Sequence, residues 1–161
     1  MATPTDIERI SYGGSKGSLQ LGAHRNVIQG VGATRTLAAK ESGSLCLFDR
    51  AAGNIYTLPV PVEGMQFEFR VSVLQTSGAN EIKTNSAAVF IGGSVMIGSL
   101  TVAESADVFQ ADPAATVKVT TNATTSGGLV GGSIWVTAIS ATVWSITGSL
   151  VGSGTTGTPF A

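Results

Sequence analysis

His24 is the sole histidine and Cys46 the sole cysteine among the 161 residues, and these two bound most of the chemistry open to the chain. A nucleophile activated by a base needs an imidazole held within hydrogen-bond reach by a rigid element. His24 instead sits between Ala23 and Arg25 in a glycine-rich stretch, so it is expected as an exposed loop histidine. Cys46 lies inside Leu45-Cys46-Leu47-Phe48 and is expected as a small buried hydrophobe, with no basic neighbour to generate a thiolate. One His plus one Cys cannot supply the three or four ligands of a zinc site. A single cysteine also excludes an intrachain disulfide.

The acidic residues offer little more. Glu104, Asp107 and Asp112 are the right donors for Ca²⁺, but their spacing differs from a 12-residue calcium loop, and a solvated acidic connection is expected. Glu68 and Glu81 are candidates for a carboxylate pair, though nothing in their spacing selects them. Gly13-Gly14-Ser15-Lys16-Gly17 superficially suggests a phosphate loop. Its Lys precedes the last Gly and no helix former follows, so the pattern is discarded. Asn122-Ala123-Thr124 reads as a polar loop. Trp135 and Trp144 admit two readings: stacking on sugar rings, or filling a core or subunit interface, where Trp is enriched. The second is preferred. No catalytic residue, cofactor or metal is assigned, a small-molecule ligand is not expected, and the chain is not predicted to be an enzyme.

The elements that would position such residues are strands. The chain is 43% hydrophobic and only 12% charged, with 21 Gly and a net charge of −1. Charged residues normally make up about a quarter of a domain. No basic cluster suits nucleic acid, and no amphipathic or polybasic segment suits a membrane surface. After Lys118, all 43 remaining positions (161 − 118) lack a charge or a histidine. Ser, Thr and Gly interrupt that stretch throughout, so it is not an apolar span of about 18 residues or more. A charge-free β region of this size is expected to be covered in part by other protein.

Period-two alternation is clearest over residues 65–73, where Met65, Phe67, Phe69, Val71 and Val73 alternate with Gln66, Glu68, Arg70 and Ser72. Further strands are predicted over 44–49, 54–58, 81–84, 88–91, 116–121, 134–139 and 142–147. Residues 103–113 are expected as a long connection. About nine short strands at intervals of roughly 8–12 residues predict an all-β domain, a β-sandwich or jelly-roll-like barrel of short antiparallel strands. It would span residues 34–151. Residues 1–33 are expected as an extended glycine-rich N-terminal arm, with a reach on the order of 110 Å, and 152–161 as a flexible C-terminal tail. The first ten residues lack an apolar run and are not expected to act as a secretory signal.

Ser42-Gly43, Leu47-Phe48-Asp49, Ala52-Gly53, Tyr56-Thr57-Leu58-Pro59, Pro61, Gly64 and Phe67-Glu68-Phe69 make a run that resembles small tailed-bacteriophage head decoration, or capsid cement, proteins. The ending, Trp144-Ser145-Ile146-Thr147-Gly148 through Gly152-Ser153-Gly154 to Thr158-Pro159-Phe160-Ala161, is similar to the same group. The resemblance implies a compact all-β module, commonly a homotrimer, made in the host cytoplasm and bound to the outer capsid surface, where it ties major capsid protein subunits together. On that reading Trp135, Ile139, Trp144 and Ile146 are the expected subunit interface. Leu19, Leu21, Val27 and Ile28 are the expected shell contacts of the arm. A carbohydrate-binding surface module, or a head or tail fibre component, is the alternative.

Overall fold

A computed structural model describes residues 25–102 and 106–161, together with the backbone of 9–11 and 18–20. The described residues are nearly all-β, 44% strand, and the one helical turn among them is the three-residue 3₁₀ segment Ala39–Glu41. Among the described residues, thirteen strands run in chain order: β1 (Arg9–Ser11), β2 (Ser18–Gln20), β3 (Val27–Ile28), β4 (Thr34–Thr36), β5 (Leu45–Phe48), β6 (Ile55–Thr57), β7 (Gln66–Val71), β8 (Asn80–Lys83), β9 (Phe90–Ser99), β10 (Ala106–Ala111), β11 (Lys118–Thr121), β12 (Ser133–Ala138) and β13 (Val143–Gly152). A seven-stranded sheet has the order β10-β9-β13-β12-β7-β5-β3, and a four-stranded sheet the order β11-β8-β6-β4. β1 and β2 form a separate two-stranded sheet.

The alternation predicted over residues 65–73 holds within β7, where Phe67, Phe69 and Val71 are buried and Gln66 and Arg70 exposed; Glu68 is buried against it, and Val73, beyond the strand's end, is exposed. Those inward rings meet the small sheet. Tyr56 of β6 lies edge-on to Phe48 and Phe69, at 5.6 and 5.4 Å between centroids, and its hydroxyl donates to the Leu47 carbonyl at 2.7 Å. Phe67 in turn packs against Trp144, at 6.1 Å. The core thus draws on both sheets, with Ile82 and Val119 from the small one and Ile91, Val95, Ile97, Ile134, Val136 and Leu150 from the large one.

At one end the core becomes polar and fully paired. The Gln75 side chain donates to the carbonyls of Gly78 and Thr121, while its own carbonyl accepts from Asn80 and from the Thr121 hydroxyl. Asn54 extends the network, its backbone N–H donating to Asn80 and its side-chain oxygen accepting from the N–H groups of Asp49 and Arg50. Pairing both partners is what makes burial of such amides affordable.

Four expectations are corrected. The strands are not uniformly antiparallel: β13–β9, β3–β5, β5–β7, β4–β6 and β6–β8 pair in parallel, so both large sheets are mixed. The strand predicted over 88–91 instead begins at Phe90 and runs ten residues as β9, with Gly93 inside it at a left-handed φ of 117° directly against Ile146. Part of the supposed connection 103–113 is β10, which exists because β9 offers it six backbone partners. The supposed flexible tail is docked: Phe160 bridges Val119, and Val117 and Lys118 both donate to the Ala161 carbonyl.

Candidate functional site

On β12, Ile134, Val136 and Ala138 turn into the core, while Ser133, Trp135 and Thr137 turn out. On β13, Ser145, Thr147 and Ser149 share that outer side. Register then carries the face across four strands. One row reads Gln110, Ser94, Thr147, Trp135; the next reads Val108, Met96, Ser149, Ser133. No outward position on these four strands carries a formal charge. Val108, 64% exposed, and Met96, 44% exposed, stand directly opposite each other. The outer face of the small sheet contrasts with this: Glu81, Lys83 and Lys118 lie there, and Lys118 pairs with Glu81 at 3.3 Å.

Charge returns to the large sheet at β7, in one tight cluster. Glu68 sits outward beside Trp135 yet is only 2% exposed. One carboxylate oxygen accepts from Arg25 and the other from Arg70 Nε at 2.5 Å. A buried carboxylate is costly unless its oxygens are paired, and here both are. Arg25 also donates through Nε to the Gly43 carbonyl at 3.1 Å, and its guanidinium lies 4.9 Å from the centre of the Trp135 ring. That distance fits a cation–π contact. Glu68 thus fastens the segment before β3 to the sheet and borders the uncharged face with two guanidinium groups.

The residues expected at a subunit interface separate. Trp135 and Ile139 are exposed, the former on the sheet face and the latter in the turn after β12. Trp144 and Ile146 belong to the core, with Trp144 at 0% exposure, and are unavailable to a partner. Strand parity is the reason: residues 144 and 146 share the inward side of β13. A sugar platform built on both Trp side chains is removed by the same fact, and the one exposed ring already lies against Arg25.

The expected arm residues divide as well. Val27 and Ile28 form β3, paired in parallel with β5; Ile28 is buried and Val27 exposed. They are part of the domain's sheet, so the boundary drawn at residue 33 falls too late. Leu19 lies in β2, whose side chains are outside the described residues, and so is Leu21. His24 and Glu104 are outside them too.

The remaining candidates are held apart. Glu68 and Glu81 stand on different sheets, each engaged by its own cations. The Asp107 carboxylate accepts from the Thr156 hydroxyl, and Asp112 caps its own turn through the Ala114 N–H. Cys46 is buried, and loss of hydration, reinforced by Glu41, pushes its thiol up to about 12. Two features went unread in the sequence. The Glu68/Arg70 alternation already put both residues on the wet side of β7, but nothing local showed that Arg25 would join them. Val108 was hidden in a stretch that its acids made look like a loop. No protein-family model, curated protein or solved structure matches this chain.

Proposed function

We propose that this chain is a structural virion protein that binds the outer surface of a tailed-bacteriophage capsid and reinforces contacts between major capsid protein subunits. The fold on this reading is a two-layer β-sandwich. The observation that carries the proposal is the outer face of β10, β9, β13 and β12, which exposes Val108, Met96 and Trp135 and has no charge to desolvate. Protein interfaces of this kind have a charge-poor centre and a polar rim, with Arg and Trp enriched. Arg25 and Arg70 lie where such a rim would be. The resemblance of residues 42–69 and 144–161 to decoration proteins supplies the partner.

A standard interface buries about 1,200–2,000 Å² in total. Repetition over a symmetric shell multiplies modest contacts, since a molecule bridging several subunits must release all of them before they part. Capsids lacking the protein are the direct test. Added protein should co-sediment with them to a fixed number of copies per particle and raise the temperature at which they open. Trp135→Ala and Met96→Lys should weaken that binding while leaving the fold intact. Absence of co-sedimentation with capsids of the phage that encodes the chain would refute the role.

A further inference from the structure

The four edges of the two large sheets are treated very differently. An uncovered edge strand offers a row of free N–H and C=O groups to any other strand, and proteins usually shorten, charge or cover such edges. β3 is two residues long and β4 three. β11 is covered, since Thr120 donates to the Pro159 carbonyl at 2.7 Å and Lys118 to that of Ala161 at 3.0 Å. β10 is neither short nor covered along its backbone among the described residues, and its protection by charge is slight. It runs six residues, pairs on one side only among the described residues, and carries a single charge, Asp107.

We infer that the β10 edge pairs antiparallel with β10 of a second copy of this chain, joining two large sheets into one. Length favours this occupant, because β10 is the one long free edge among the described residues and a second copy supplies an edge of the same six residues. Charge agrees. A two-fold axis normal to the sheet pairs residues of like parity and keeps both outer faces on one side. With Val108 opposite the second copy's Val108, Asp107 stands opposite Phe109. Shifted to centre on Phe109, it stands opposite Ala111. In neither register does the carboxylate meet its own copy. The first register also completes an apolar row across four strands, Met96 and Val108 of one copy followed by Val108 and Met96 of the other. Cross-strand apolar pairs of this kind are what stabilise a sheet.

The contact is two-fold, so copies come in even numbers: two, or six where a three-fold contact coexists. It goes beyond the capsid role and does not depend on it. Sedimentation equilibrium of the full chain over a range of concentrations reads the mass. The unaltered protein should be even-numbered. Val108→Lys, which places a charge on the edge at an exposed position, should halve that mass with an unchanged circular dichroism spectrum. Val108→Thr, uncharged and strand-favouring, should keep it. A monomer, an odd-numbered oligomer or a Val108→Lys protein of unaltered mass would overturn the inference. The mass is read on the protein without capsids, so this test and the capsid test with Trp135→Ala fail independently.

Discussion

Trp135 and Trp144 lie on the two strands of one antiparallel hairpin and point to opposite faces of the same sheet. Trp135 pairs with Thr147 and looks outward, 37% exposed; Trp144 pairs with Ala138 and is fully buried against Phe67.

This split should be visible in fluorescence. Trp135→Phe should leave an emission that is blue-shifted and resistant to acrylamide, since only Trp144 remains. In stability the order reverses. Trp144→Ala should cost about 3–5 kcal/mol, and Trp135→Ala about 1 kcal/mol or less, the size of an exposed cation–π contact. Trp144→Phe should cost less than Trp144→Ala for a second reason: the indole Nε1 has no partner among the described residues, and the change removes it. Urea titrations of the variants check all of this.

Gly93 should tolerate no side chain. At its φ of 117°, a Cβ would lie 2.2 Å from the Ile146 carbonyl oxygen, in the parallel seam between β9 and β13. Gly93→Ala is expected to destabilise by roughly 3 kcal/mol or more, read as lost soluble yield or a lowered melting temperature. Gly30→Ala is the control. Its φ is 65° with open space around it, so only the backbone cost of about 1–2 kcal/mol applies.

The Gln75–Thr121 hydrogen bond, 2.6 Å long across 46 residues of chain, should behave as part of a coupled network. Gln75→Leu strands the Asn80 amide and the Thr121 hydroxyl, and should cost about 1–3 kcal/mol for each group left unpaired. Adding Thr121→Val should then cost much less than it does in the unaltered protein. Additive losses in a double-mutant cycle would show the two side chains to be independent.

Stability should fall in alkali. Burial raises the Cys46 thiol from its ordinary 9.0 to about 12 and raises the Tyr56 hydroxyl above its ordinary 10.0. Above pH 9 the unfolded chain therefore releases protons that the folded chain keeps. The contribution is whole below pH 9 and is lost progressively toward pH 12, with a slope of at most about 1.4 kcal/mol per pH unit for each proton. Denaturation midpoints at pH 8, 9.5 and 10.5 test the sign. Cys46→Ala should flatten the decline between the first two, leaving only the tyrosine's share above pH 10. For the same reason, folded Cys46 should resist alkylation at pH 8 and react once the chain unfolds.

Residue types and their alternation determined the class of this protein and the strand centred on Phe67 and Phe69. They pointed to Cys46 as buried, because it is a small hydrophobe between Leu45 and Leu47 with no basic neighbour. They also marked the last 43 positions as free of charge. Alternation is a local property, and a strand of period two declares its two faces without declaring its neighbours.

Tertiary structure decided which face met the core and which strand met which. β9 and β13 lie side by side and parallel, a pairing no local signal carries. β10 became a strand by gaining β9, although its own residues read as a loop. Arg25 reached Glu68 and Trp135 only because β3 docked on β5, bringing together side chains that lie far apart along the chain. Long-range pairing draws its free energy from contacts that exist only once the sheet has closed, which is why these relationships are absent from any local stretch of sequence.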